Sequence, residues 1–305
     1  LNNTVVDSGM DGISLDGYED GTVANNTLSG HAVDIRFDQA TNATVANNSF
    51  GSGVVLVTEG NGNVEDYDHT FADNTVDGAP LGYVFGGDDP TIPADAGQVV
   101  VVNATNVSVA DVSFTGVATP IQVALSEHVS ITNASVTDAG GDGVRVQSSE
   151  NVSIGSTTIS GSDADGIHLA EVAPIDVTES VVSASGRHGI WLDIVDAPQR
   201  SHISNNTIGQ NQDGIRFYQF GDVINVTIAD NVVQDNARGL AVETDAENVV
   251  VEGNTFDANS LGVYYGAEYS PPTLDVQDNW WGDASGPSGG VTDATNASVD
   301  ADGSG

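Results

Sequence analysis

Residues 201–217, SHISNNTIGQNQDGIRF, and residues 226–242, VTIADNVVQDNARGLAV, are one phrase written twice. In each, an apolar triplet precedes an Asn, Asn206 or Asn231; an apolar residue follows two positions on, then a polar turn, a Gly and a short alternating run. Working outward, Asn26, Asn48, Asn74, Asn254 and Asn279 fall at the same point, in TVANNTL, TVANNSF, TFADNTV, VVEGNTF and DVQDNWW. Neighbouring Asn residues are spaced by 22 to 26 residues, the period of a solenoid coil and not of a helix heptad.

The second half of each unit fixes the type of coil. DGISLD, VDIRF, GVVLV, GVRVQ, GIHLA, GIWLD, GIRFY, GLAVE and GVYYG alternate with period two and are rich in β-branched residues. No stretch carries a helical period. Two or three short strands per coil, separated by Gly, Asn and Asp turns, predict an all-β chain: a single-stranded right-handed parallel β-helix of about eleven coils, stacked about 4.8 Å apart. Stacking brings equivalent residues into columns, so Asn26, Asn48, Asn74, Asn206, Asn231, Asn254 and Asn279 read as a structural ladder of turn residues bonding to one another. In the middle coils Val112, Ala134, Thr157 and Ser180 take that place, and a small or apolar stack is expected there.

The 305 residues divide into a β-helix over 1–283 and a polar cap or tail over 284–305. A long step between Asn74 and Val112 carries GYVFGGDDPTIPADAGQ, which predicts a loop or hairpin bulging at about 81–97. Trp280 and Trp281 occupy the place where other coils have an aliphatic residue, and one of them is expected to plug the open end of the core, with Pro287 stopping further coiling. The chain opens inside a repeat at Leu1 and has no apolar run long enough to span a membrane, so it reads as a segment of a longer exported protein.

Charge is the second strong signal. There are 44 acidic residues against six Arg and no Lys, for a formal net charge of −38. In molar salt the Debye length falls to about 3 Å and the self-repulsion is screened, which points to a halophile. Nucleic acid is excluded as a partner, because phosphate binding needs a basic stripe. Without Cys there is neither a disulfide nor a thiolate metal site. Sequons at Asn2, Asn25, Asn42, Asn47, Asn103, Asn106, Asn133, Asn151, Asn205, Asn225 and Asn296 are candidate glycosylation sites with outward side chains, and they favour an extracellular or cell-surface location.

The stretch 74–136, NTVDGAPLGYVFGGDDPTIPADAGQVVVVNATNVSVADVSFTGVATPIQVALSEHVSITNASV, resembles the segment shared by NosD-like and related carbohydrate-binding β-helix repeat proteins of archaeal cell surfaces. The ending DNWWGDASGPSGG, 278–290, is similar to a phrase that closes many secreted β-helices. The resemblance implies a surface protein, a sugar-binding module or a polysaccharide-acting enzyme. Its copper-delivery branch finds little here, since Met10 is the single Met and His31, His69, His128, His168, His188 and His202 have no chelating spacing. No cofactor is expected, with calcium left open at Asp163 with Asp165 or at Asp88 with Asp89.

Stacking the Gly-led strands gives two outward columns. The first is Ser14, Asp34, Val55, Gln122, Arg145, His168, Trp191, Arg216, Ala241 and Tyr264; the second is Asp16, Arg36, Val57, Ala124, Gln147, Ala170, Asp193, Tyr218, Glu243 and Gly266. Arg145, His168, Trp191, Asp193, Arg216, Tyr218, Glu243 and Tyr264 thereby form a candidate ligand-binding face, with aromatic rings for sugar C–H faces and charges for hydroxyls or uronates. Three readings stay open: a structural or carbohydrate-recognition module, a lyase or hydrolase acting on an acidic glycan, and a subunit that self-associates into a filament. Candidate partners are a glycan or other surface component, or further copies of the chain.

Overall fold

The computed structural model describes residues 1–57, 63–193, 196–218, 223–266, 274–282 and 299–300, with backbone alone at 196–199, 223 and 299–300. The chain is an all-β solenoid of about eleven turns, as its period requires. No helix among the described residues is long and apolar enough to cross a membrane. Each coil contributes strands to three sheets. From residue 98 on, the face sheet contains Gln98–Val102, Ile121–Ala124, Val144–Gln147, Ile167–Ala170, His188–Asp193, Asp213–Phe217, Arg238–Val242 and Leu261–Tyr265, all parallel and in register. The strands before and after each ladder position build the other two sheets. Inward residues such as Val146, Leu169, Ile190, Ile215 and Leu240 are buried at 0 % exposure, so the core is an aliphatic file along the axis.

Side-chain amides close the turns. Asn48 Oδ1 accepts from the backbone N and Nδ2 of Asn26, while its own Nδ2 donates to Val23 O and to Asn74 Oδ1. The same pattern runs from Asn206 through Asn231 and Asn254 to Asn279. In the middle coils the column remains partly polar: Ser180 N donates to Asn206 Oδ1, and Thr157 N to Ser180 Oγ. A second ladder escaped the sequence reading. Asn211, Asn236 and Asn259, each five residues beyond a ladder Asn, bond in series, and Ser185 N donates to Asn211 Oδ1.

The ten described sequon Asn residues all have left-handed backbone, with φ between 51° and 59°. Asn suits that conformation better than any other residue with a side chain, so turn geometry alone accounts for their frequency. Most are exposed, and Asn296 lies outside the described residues. The same turns spread the negative charge, because an acid in one coil faces a neutral donor in the next: Asn42 Nδ2 donates to Asp20, Asn106 Nδ2 to Asp88 and Ser148 Oγ to Glu171. These bonds from Asn106 and then Thr105 hold the Asp88 carboxyl below its ordinary range.

The regular stacking breaks after Thr75–Val76. Thr75–Val76 pairs antiparallel with the start of Ala79–Phe85 through a tight turn at Asp77 and Gly78, both with positive φ. Leu81–Phe85 then runs parallel with Gln98–Val102, so the first part of the expected 81–97 protrusion is a strand of the face sheet. The first three coils therefore form a short stack that joins the face sheet through this hairpin, while their remaining strands build two three-stranded sheets of their own. Its edge strand, Val54–Val57, is closed by side chains: Gln98 Oε1 accepts from Val54 N, Gln122 Oε1 from Leu56 N, and both Nε2 groups donate to Val54 O. An unpaired edge is thereby satisfied without a further strand.

Inside this short stack, His69 clusters with Phe37 and Phe71, and its Nδ1 accepts from Ala43 N at 3.2 Å. Burial lowers its pKa to about 4 against an ordinary 6.5. Since the unfolded chain protonates first, the stability that His69 confers is full above pH 6.5 and is lost as pH falls toward 4, a change of about 3 kcal/mol at most. A denaturant series across that window should show the loss in the wild type. His69→Asn, which retains an acceptor for the Ala43 amide, should flatten it; an unchanged slope contradicts the assignment.

At the far end, Trp281 stacks on Phe256 at 5.2 Å and packs against the core, while Trp280 points outward at 39 % exposure. Pro287 lies outside the described residues, as does the 284–305 segment apart from Val299–Asp300, which pairs with Leu274–Asp275.

Candidate functional site

From Val144–Gln147 to Arg238–Val242, each face strand starts where a Gly meets its neighbour closely. A Cβ on Gly189 would lie 2.6 Å from Gly214 O, and one on Gly214 would lie 2.6 Å from Gly239 O. Only a residue without a side chain allows this approach, which holds the outward columns in register. The first column pairs as the alternation implies: Gln122, Arg145, His168, Trp191, Arg216, Ala241 and Tyr264 are successive partners. In the second, Ala124, Gln147, Ala170 and Asp193 are partners, with Tyr218 and Glu243 just beyond the next two strands.

The first three coils require a correction. Ser14 pairs with Arg36 and then Val55, while Asp16 pairs with Asp38 and then Val57, so Asp34 and Arg36 each sit two places from their expected positions. VDIRF has no leading Gly, and Asp34 occupies the place of Gly12. Asp34 is fully buried and accepts from the Ser52 and Gly53 amides. These coils also form their own three-stranded sheet and do not extend the face column.

The residue immediately before each Gly adds a third column, which the sequence reading passed over: Asp142, Asp165, His188, Asp213 and Arg238. The DG, DG, HG, DG and RG dipeptides were the available signal. These side chains tie the face together. Asp142 Oδ2 lies 3.3 Å from His168 Nδ1 and 3.8 Å from Arg145. Asp165 takes the Arg187 guanidinium at 2.5 Å and the His188 amide at 3.0 Å. Asp213, at 0 % exposure, holds Arg238 through both oxygens at 2.6 and 2.8 Å and faces His188 Nδ1 at 3.1 Å. Glu243 bridges Arg216 and Arg238 at 2.5 and 2.6 Å.

Burial opposes ionisation of Asp142 and Asp213, but cationic and hydrogen-bonding partners outweigh it. His168 with Arg145, and His188 with Arg238, hold the two carboxyls below their ordinary range. Asp193 goes the other way: burial raises it, against the opposing pull of His168. The aromatic members stack on this frame. His168 and Trp191 are parallel at 4.1 Å and 9°, Arg216 lies over Tyr218 at 4.6 Å, and Arg238 over Tyr264 at 5.1 Å. Among the described residues, His168 Nε2, Trp191 Nε1, Asp193 Oδ1, Arg145 Nε and Arg216 Nε are buried polar atoms without a hydrogen-bond partner.

Asp142, Asp165 and His168 bring three potential ligand atoms within 4.8 Å of one another. The set does not fit a cation, because Arg145 and Arg187 already neutralise the two carboxylates. The calcium readings gain no cage either: Asp165 is buried while Asp163 is exposed, and Asp88 is engaged by Thr105 and Asn106.

No curated protein matches the chain in sequence. Among solved structures, a double mutant of the periplasmic alginate epimerase AlgG is 16 % identical, covering 90 % of this chain and 73 % of that one at a TM-score of 0.48. The Azotobacter vinelandii mannuronan C-5 epimerase AlgE6 A-module is 15 % identical, covering 99 % of this chain and 82 % of that one at a TM-score of 0.47. The family model described as the right handed beta helix region matches residues 97–256, more than half of the sequence. The chain belongs to the right-handed β-helix family.

Proposed function

We propose that this chain is a carbohydrate-recognition β-helix from the surface or exterior of a salt-adapted cell. The observation that carries the reading is the composition of one face: four of the six Arg residues, Arg145, Arg187, Arg216 and Arg238, stand there beside Trp191, Tyr218 and Tyr264. In a chain of net charge −38, this is the place where an acidic or hydroxyl-rich polymer meets donors in place of repulsion. Rigid guanidinium–carboxylate pairs present donors and acceptors together, and rings offer apolar faces, which suits sugar.

One arrangement favours a lyase as the second reading. Asp142 orients His168 through Nδ1 and leaves Nε2 as the atom to take a proton, with arginines nearby to hold a uronate carboxylate. A hydrolase finds less support, because Asp193 and Glu243 stand two coils apart, about 10 Å, and Glu243 is clamped by two arginines. Binding and turnover assays in molar salt separate the readings. Tyr218→Ala, at a position 42 % exposed, and Trp191→Ala should each weaken glycan binding about fivefold to thirtyfold, with no product formed by the parent. Turnover abolished by His168→Gln establishes the lyase; binding indifferent to both aromatic substitutions removes the face from the account.

The acidic surface carries its own prediction. Screening should raise the melting temperature steadily between dilute buffer and molar potassium chloride, where the Debye length is about 3 Å. A melting temperature independent of salt contradicts the halophilic reading and leaves the glycan reading standing.

A further inference from the structure

Turn geometry explains why sequons are frequent, but coil stacking treats them unequally. Where an Asp stands one coil earlier, it takes the sequon's side-chain amide: Asn42 Nδ2 donates to Asp20, Asn106 Nδ2 to Asp88 and Asn133 Nδ2 to Asp111. Three more are compromised in other ways. Beside Asn103, the hydroxyl that completes the sequon, Thr105 Oγ1, donates to Asp88. Asn151 is half-buried, and Ser153 Oγ donates to Val129 O. Asn225 is half-buried, and its Oδ1 accepts from Asn248 Nδ2.

Asn2, Asn25, Asn47 and Asn205 differ from all of these. Each is exposed, and so is the hydroxyl residue two places on, Thr4, Thr27, Ser49 or Thr207. None of these side chains has a hydrogen-bond partner among the described residues. Register supplies the reason. The middle residue of each of the four sequons is a ladder Asn: Asn3 N donates to Asn26 Oδ1, Asn26 N to Asn48 Oδ1, Asn48 N to Asn74 Oδ1 and Asn206 N to Asn231 Oδ1. With the middle side chain fixed inward, alternation turns the following Thr or Ser outward. The residue one coil earlier is not an Asp either. Asn25 follows Asn2, Asn47 follows Asn25, and Asn205 follows Glu179, whose carboxylate accepts from Ser156 Oγ.

We infer that Asn2, Asn25, Asn47 and Asn205 are sites of N-glycosylation and that the other described sequons stay bare. Amide and hydroxyl stand together at one open turn, which suits a transferase working on the folded coil. The donor is a sugar activated as a glycosyl phosphate. Nδ2 attacks its anomeric carbon, the C1–N bond forms as the C1–O bond to phosphate breaks, the phosphate leaves with the electron pair, and Nδ2 gives up one proton to it. None of the four Asn residues belongs to the columns of the face, so this modification stands or falls separately from glycan recognition.

The test is mass spectrometry of the chain isolated from its own cells, cut after Asp and Glu, with electron-transfer fragmentation to place each sugar. Sugar mass is expected on Asn2, Asn25, Asn47 and Asn205 and on none of the other six described sequons. Thr207→Val, at an exposed strand position, should remove it from Asn205 with the melting temperature unchanged. Asp111→Gly retains the positive φ of 57° and releases the Asn133 amide beside an exposed Ser135, so Asn133 should gain sugar to the level of Asn205. Sugar on Asn42, Asn106 or Asn133 of the parent at that level overturns the sorting, because transfer then precedes folding. A bare Asn133 in Asp111→Gly overturns the role given to the Asp bond, and absence of sugar from all four sites overturns the modification itself.

Discussion

Asn231→Leu should destabilise the protein by about 3–5 kcal/mol although the two side chains have nearly the same volume. Asn231 is 1 % exposed. Its Oδ1 accepts from the backbone N and Nδ2 of Asn206, and its Nδ2 donates to Ile203 O and Asn254 Oδ1. Leucine leaves those partners buried and unpaired, each costing about 1–3 kcal/mol. Asn231→Ser should cost less, because a hydroxyl already does this duty at Ser180, where Oγ accepts from Thr157 N. Denaturant melts of the three proteins give the comparison; a leucine variant within 1 kcal/mol of the parent means that the ladder is dispensable.

Asp213→Ala should cost a similar amount, about 3–5 kcal/mol, by a different route. The carboxylate is fully buried and is the common partner of Arg238, His188 and, at 3.8 Å, Arg216. Its removal strands the bidentate Arg238 fork and frees the His188 ring, so the face loses its frame. The pH dependence makes the prediction specific. The folded carboxyl lies below its unfolded value of about 3.9, so its contribution is present above that pH and disappears as pH falls through the depressed folded range. The parent should therefore lose additional stability below about pH 4, and Asp213→Ala should not share that loss. Parallel curves for the two proteins below pH 4 contradict the pairing.

The solenoid was legible because stacking imposes the same demand on every coil. An Asn that must bond above and below, and a Gly that must admit the next coil's carbonyl, recur at fixed places and survive divergence between coils. The alternation after each Gly then placed Arg145, His168, Trp191 and Arg216 side by side. The column from Asp142 to Arg238 went unread because a residue ahead of a Gly resembles an ordinary turn position, and its burial depends on contacts between coils. Arg36 was misplaced for want of a Gly to count from. The fault at Asp77 and Gly78 was beyond local pattern: NTVDGAPLG contains its turn dipeptide, but the folding back of the first stack is settled by Gln98 and Gln122, whose partners at Val54 and Leu56 are 44 to 68 residues away.

Tryptophan emission offers the most direct test that the face contacts glycan, because only three Trp residues exist and the other two, Trp280 and Trp281, lie at the far end of the solenoid. In a protein carrying Trp280→Phe and Trp281→Phe, Trp191 is the sole reporter, stacked on His168 in the middle of the face. Titration with an acidic oligosaccharide in molar salt should change its emission saturably, with the same midpoint that calorimetry gives for binding. Heat of binding with a flat Trp191 signal would place the ligand elsewhere on the molecule and contradict the account.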